Sequence, residues 1–140
     1  MAAIRSRGNR TTERRLRAVL IRAGLRGWSV GGDRAIGSPD FVFRRRQVAV
    51  FVDGCFFHGC PRCGHVPKTN VRYWTAKIAR NQRRDRRMGR IARARGYAVV
   101  RVWECELRYW PSGCLTRITR AVARLRKRAA PSHPGRDFPQ

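Results

Sequence analysis

The sequence predicts a mixed α/β domain in which a small central sheet is flanked by helices, and three observations predict it. Short apolar runs of strand length alternate with longer stretches of helical periodicity. Their order is helix, strands, long helix, strand, helix, the pattern of a layered α/β structure. A chain of 140 residues is enough for one real core and too short for two.

In residues 11–24, Leu16, Val19, Leu20 and Ala23 fall at helical spacing, with threonine at the start and Gly24 at the end. A short strand over residues 28–30 runs into a turn at Gly31 and Gly32. Ser38-Pro39-Asp40 then opens the apolar run 41–43, and the arginine turn at 44–46 leads into 48–52, so the two runs read as a hairpin. The second is nearly all apolar and is expected at the centre of the sheet, buried on both faces. Residues 53–68 read as loop. From 70 to 95 the pattern is helical, with Trp74, Ile78, Asn81, Asp85, Met88 and Ala92 along one face and Gly96 as the stop. Residues 97–103 read as another buried strand, and Leu115, Ile118, Val122 and Leu125 mark a last amphipathic helix. The boundaries are a short arm over 1–10, a domain over 11–129, and a tail over 130–140 with three prolines and no pattern, expected to be mobile.

Thirty-three basic residues face eight acidic ones, a net charge of +25. Such a field attracts polyanions and points to a nucleic-acid partner, although an arginine-rich, lysine-poor composition also follows from a GC-rich genome. No apolar run approaches membrane-span length, and the first ten residues lack the core of a secretion signal. The expectation is a soluble cytoplasmic protein with no membrane partner.

Five cysteines, an odd number and closely spaced, argue for metal in a reducing compartment rather than for disulfides. Cys60 and Cys63 form a knuckle able to bite one ion, Cys55 lies five residues earlier, and Cys105 follows the strand ending at Trp103. Four thiolates close a tetrahedral structural zinc site, with His65 as an alternative ligand and Cys114 as the spare. Such a site holds no open position for substrate.

In so basic a chain the acids are informative. Asp40 precedes one strand and Asp53 ends the next, so neighbouring strands would bring both carboxylates to one sheet edge. Two such oxygens suit a hard, octahedral Mg²⁺ that keeps waters and takes a phosphate oxygen. Cys55 stands two residues after Asp53, where nucleases of this pattern carry lysine. His58 is therefore the candidate base for water, with zinc ligation or a plain loop position as the alternatives. Glu13 either orients metal-bound waters or simply suits the first turn of a helix.

These residues carry a resemblance. Thr11 to Leu16 (T-x-E-x-x-L), Ser38 to Phe43 (S-P-D-F-V-F), Val50 to Pro61 (V-x-V-D-G-C-F-F-H-G-C-P), Asn70 to Asp85 (N-x-x-Y-W-x-x-K-I-x-x-N-x-x-R-D) and Val102 to Leu107 (V-W-E-C-x-L) closely resemble the very short patch repair endonucleases, in order over residues 5–110. The resemblance implies a restriction-endonuclease-like fold. It also implies hydrolysis of the phosphodiester 5′ of a thymine mispaired with guanine, a lesion left when 5-methylcytosine deaminates. By position it makes Asp40 the metal-binding aspartate, His58 the catalytic histidine and Glu13 the supporting acid. Cys55, Cys60 and Cys105 become zinc ligands, and Cys63 falls where the family carries histidine or cysteine. Phe56, Phe57 and Trp74 become the aromatics that wedge into the base stack, the alternative being core packing. Phe57 replaces the usual tryptophan, Asp53 stands where some members have a second histidine, and the arm before the first helix is shorter than in some members. Asn81 and Asp85, one turn apart, are expected to brace the site or an arginine and are given no catalytic part. The implied partner is mismatched duplex DNA, bound by a monomer on the bacterial nucleoid alongside a cytosine-5 methyltransferase. The alternatives are a zinc-stabilised restriction-type nuclease with another target and a non-catalytic nucleic-acid-binding module.

Overall fold

The computed structural model describes residues 7–124, with side chains from residue 10 onward. Helix α1 (Arg7–Arg22) is followed by strand β1 (Ser29–Val30), a 3₁₀ turn (Arg34–Ile36), strand β2 (Phe41–Phe43), a second 3₁₀ turn (Arg44–Arg46) and strand β3 (Val48–Asp53). Then come helix α2 (Val71–Ala94), strand β4 (Ala98–Trp103), and helices α3 (Glu104–Tyr109) and α4 (Pro111–Arg124). The first helix begins four residues before the expected boundary, so residues 7–10 belong to it. Residues 1–6 of the expected arm, and the whole expected tail over 130–140, lie outside the described residues.

The sheet has the order β1-β2-β3-β4, antiparallel from β1 to β3 and parallel between β3 and β4. A tight turn of three arginines joins β2 to β3, and the long α2 makes the crossover that a parallel pairing requires. Every residue of β3 is buried. On one face Val48, Val50 and Val52 pack with Phe41, Phe43 and Val102 against Leu16 and Leu20 of α1, Leu107 of α3, and Cys114 and Ile118 of α4. On the other, Ala49 and Phe51 meet Ala92, with Met88, Tyr97 and Val99 closing around them. The result is three layers with β3 in the middle, and Cys114, the expected spare, is a core residue.

One expectation is corrected. The run 97–103 was expected to be buried, yet within β4 only Val102 is, and the rest is half-buried. Its apolar composition reflects cover from helices on both faces, whereas burial also needs a neighbour at the edge. Among the described residues β4 has a partner on one side only.

Candidate functional site

The two aspartates reach the same end of the sheet because β2 and β3 are antiparallel neighbours. Asp40 donates its N–H to Val50 O (2.9 Å), and its carboxylate accepts from Val52 N (2.7 Å), so the side chain is pinned over the end of β3. A glycine makes this possible. Gly31 donates to Asp40 O at 2.9 Å, and a Cβ on Gly31 would lie 2.1 Å from Pro39 O, so any larger residue would push β1 away from the backbone that carries Asp40.

Burial pushes the Asp40 carboxyl up to about 7, the N–H of Val52 opposing it and the like charges of Glu13 and Asp53 adding to it. Glu13 is brought against Asp40 by α1, whose Leu16 and Leu20 are fully buried beneath it. Among the described residues no arginine or lysine forms an ion pair with Asp40 or Glu13. A chain of charge +25 thus sets two acids against each other with no arginine or lysine paired to them among the described residues, which raises the cost of ionising both.

Asp53, the last residue of β3, differs. Both its oxygens accept from Arg101 Nη1, at 2.9 and 3.0 Å, and the guanidinium lies 4.6 Å over the Phe51 ring. Burial still raises Asp53, against the pull of Arg101 and His58. Arg101 also donates to Asp85 O at 2.5 Å, tying β4 to the middle of α2.

His58 sits in the loop after β3. Its Nδ1 is 2.5 Å from Asp85 Oδ2 and 3.8 Å from Asp53 Oδ1. The loop is held from α2 by two amides: Asn81 Nδ2 donates to Phe57 O at 2.8 Å and Gln82 Nε2 to His58 O at 3.4 Å. Asn81, Asp85 and Met88 do lie along one helical face, as expected. Asn81 and Asp85 were expected to brace the site or an arginine, and they do so through the Phe57 carbonyl and the His58 ring; the partnership of Arg101 with Asp53 was not anticipated. The spacing of Asp85 on the inward face of α2 was the available signal for the bracing. For the partnership it was a single arginine inside an apolar strand.

Cys55, Cys60, Cys63 and Cys105 converge, their sulfurs all within 4.8 Å of one another. Cys60 and Cys105 Sγ are 3.7 Å apart. A tetrahedral ion with metal–sulfur bonds of about 2.3 Å places its sulfurs about 3.8 Å apart, so the donor set fits zinc. Burial opposes ionisation of Cys60, but the N–H groups of Cys63 and Arg62 aimed at its sulfur outweigh it and hold the thiol at about 7. Cys105 N–H points at Cys55 Sγ (3.3 Å). A Cβ on Gly64 would lie 2.5 Å from Cys60 O, so the knuckle closes only around glycine. His65, the alternative ligand, is not in this group; its ring faces Phe56 at 6.2 Å.

Phe56 and Phe57 of the same loop form one cluster with Trp74 of α2. Phe56 meets Phe57 at 5.0 Å and Trp74 at 5.1 Å, both edge to face, and all three are only half-buried. Core packing therefore does not account for them.

Comparison with known proteins bears on this arrangement. The family model described as DNA mismatch endonuclease Vsr matches residues 1–63. The DNA mismatch endonuclease Vsr of Escherichia coli is 37% identical over 110 residues, 77% of this chain and 69% of that protein. The type II nicking enzyme V.XorIIP of Xanthomonas oryzae is 39% identical over 109 residues, 76% of this chain and 78% of the relative. The chain belongs to the Vsr endonuclease family. V.NaeI of Lentzea aerocolonigenes, also a type II nicking enzyme, is 49% identical over 75 residues, 54% of this chain but 45% of its own length. The family's chemistry is cleavage of DNA phosphodiester bonds.

Proposed function

We propose that this protein nicks double-stranded DNA on the 5′ side of a thymine mispaired with guanine, by Mg²⁺-dependent hydrolysis of one phosphodiester. The observation that carries the reading is the Asp40–Glu13 pair, unanswered by any arginine among the described residues and within reach of the charge of Asp53, against which the His58–Asp85 dyad stands. Asp40, supported by Glu13, would hold the cation. When bound, Mg²⁺ withdraws charge from the phosphate and makes its water more acidic. Asp53 was the second expected ligand. Its charge is already answered by Arg101, and we assign it to holding that guanidinium and the imidazole in place.

With Nδ1–H donated to Asp85, His58 keeps the lone pair on Nε2. The water proton passes to that nitrogen as the water oxygen attacks phosphorus and the bond to the leaving sugar oxygen breaks. Cys55, Cys60, Cys63 and Cys105 would hold one structural zinc, which fixes the loop bearing Phe56, Phe57 and His58. The aromatic cluster would wedge beside the mispair, where opening the stack costs less than at a paired step. The enzyme would act as a monomer in the bacterial cytoplasm, where a cytosine-5 methyltransferase creates the methylated sites whose deamination it answers.

The test uses purified protein with Mg²⁺ and two duplexes, one carrying a single T·G mispair. The expected result is a nick in the thymine strand of the mismatched duplex alone. Equal cutting of the paired duplex would support a restriction-type target instead, and binding without cutting would reduce the protein to a recognition module.

A further inference from the structure

A second feature of the sheet has no place in this chemistry. Between the outer edge of β4 and α4 runs a groove of about 710 Å³, lined by Ala98, Val99, Val100, Arg117, Arg120, Ala121 and Arg124. We propose that this groove binds an extended, acidic segment of a partner protein, which pairs with β4 as a fifth strand.

The backbone argues for a polypeptide. Ala98 donates inward to Gln47 O, so residues 98, 100 and 102 face β3 and the odd residues turn their N–H and C=O groups outward. Two of those outward groups are already taken. Arg117 Nη1 donates to Arg101 O (2.9 Å) and Trp103 N–H donates to Glu106 Oε2 (3.2 Å), which closes the edge at its catalytic end. Among the described residues nothing bonds the N–H and C=O of Val99 or the N–H of Arg101, and no strand lies beyond them. A residue placed opposite Val99 in an antiparallel chain would exchange both bonds with it.

The side chains argue for acid. Arg117, Arg120 and Arg124 stand at i, i+3 and i+7 along one exposed face of α4. Arg117 is answered by Glu106, but among the described residues Arg120 and Arg124 have no acidic partner. In a strand added to β4, residues flanking the one opposite Val99 turn their side chains toward α4, so acids at alternate positions would meet these arginines. A second copy of this chain, itself at +25, is disfavoured by the same charge. Duplex DNA matches the charge but cannot use the alternating donors and acceptors of a strand edge. Val99 lies four residues from Trp103, the register partner of Asp53, or about 13 Å along the strand, which leaves the groove clear of the nicking site.

The experiment is fluorescence anisotropy of a labelled eight-residue peptide alternating glutamate and valine, titrated with the full chain. A counterpart with proline in place of each valine keeps the charge and removes donors. We expect the first peptide to bind and the proline counterpart to bind at least about tenfold more weakly. Arg120→Glu with Arg124→Glu, and separately Val99→Pro, should each weaken the valine peptide about tenfold with helical signal and nicking of DNA unchanged. Absence of binding, or equal binding of both peptides, overturns the proposal. So does a paired arginine reversal that weakens duplex DNA but leaves peptide binding intact, which would assign the groove to nucleic acid. If Val99→Pro does not fold, the two peptides on the native chain still decide.

Discussion

Asp40 and Asp53 stand at neighbouring strand ends, both pushed up by burial, and they are solved in opposite ways. Asp53 is clasped by Arg101, whose guanidinium lies over Phe51. Asp40 meets another acid, Glu13, and one backbone N–H. The difference teaches where the fold stores an unmet demand. A buried acid paired with arginine is part of the architecture, while a buried acid beside a like charge needs something the chain does not itself supply.

The same substitution should therefore break the two corners differently. Asp40→Asn is expected to reduce nicking at least about a thousandfold while leaving the melting temperature unchanged or raised, because it removes a like-charge contact. Activity assayed beside thermal unfolding checks both halves, and retained nicking would remove Asp40 from the site. Asp53→Asn should act on stability, costing about 1 kcal/mol in urea unfolding, because it leaves the half-buried Arg101 without its counter-charge while relieving the burial that opposes the ionised carboxylate. Unchanged stability would mean that the pair is only a surface contact. Asp85→Asn should lower nicking about a hundredfold with folding intact, since the imidazole of His58 then loses the carboxylate that orients it.

The smallest effect is a slope in pH. The carboxyl of Asp40 titrates near 7 in the folded chain, against an ordinary 3.8. The native state therefore holds a proton that the unfolded state releases, and the stability this confers is lost as pH rises through the folded value. Asp53 contributes in the same direction. The melting temperature of metal-free protein should fall between about pH 5 and pH 8, and Asp40→Asn should flatten part of that fall. A slope unaffected by Asp40→Asn would place the titration elsewhere.

Much of this was legible in the chain. The hairpin through 44–46, the central position of 48–52 and the inward face of the long helix follow from spacing and hydrophobicity, and the structure has each of them. The four cysteines are recognisable because the knuckle spacing is a local property. Arg101 inside an apolar strand gave no hint of its partner, because Asp53 lies 48 residues away and only the parallel pairing of β3 with β4 brings them together. Asp85 was visible on the correct helical face, but whether that face met a loop histidine or the core depended on where the crossover set the helix down. The six-residue α3 was missed for a similar reason. Its first turn is closed by the Glu106 side chain and by Cys105 N–H reaching Cys55 Sγ, and the second of these contacts is long-range.

By itself the sequence determined the periodicities, the charge and the ligand chemistry, because these depend on residue type and near neighbours. The tertiary structure alone decided which acid has an arginine and which has another acid, and which strand is left with an open edge. Those outcomes depend on strand order and on contacts between residues far apart in the chain, which local spacing does not encode.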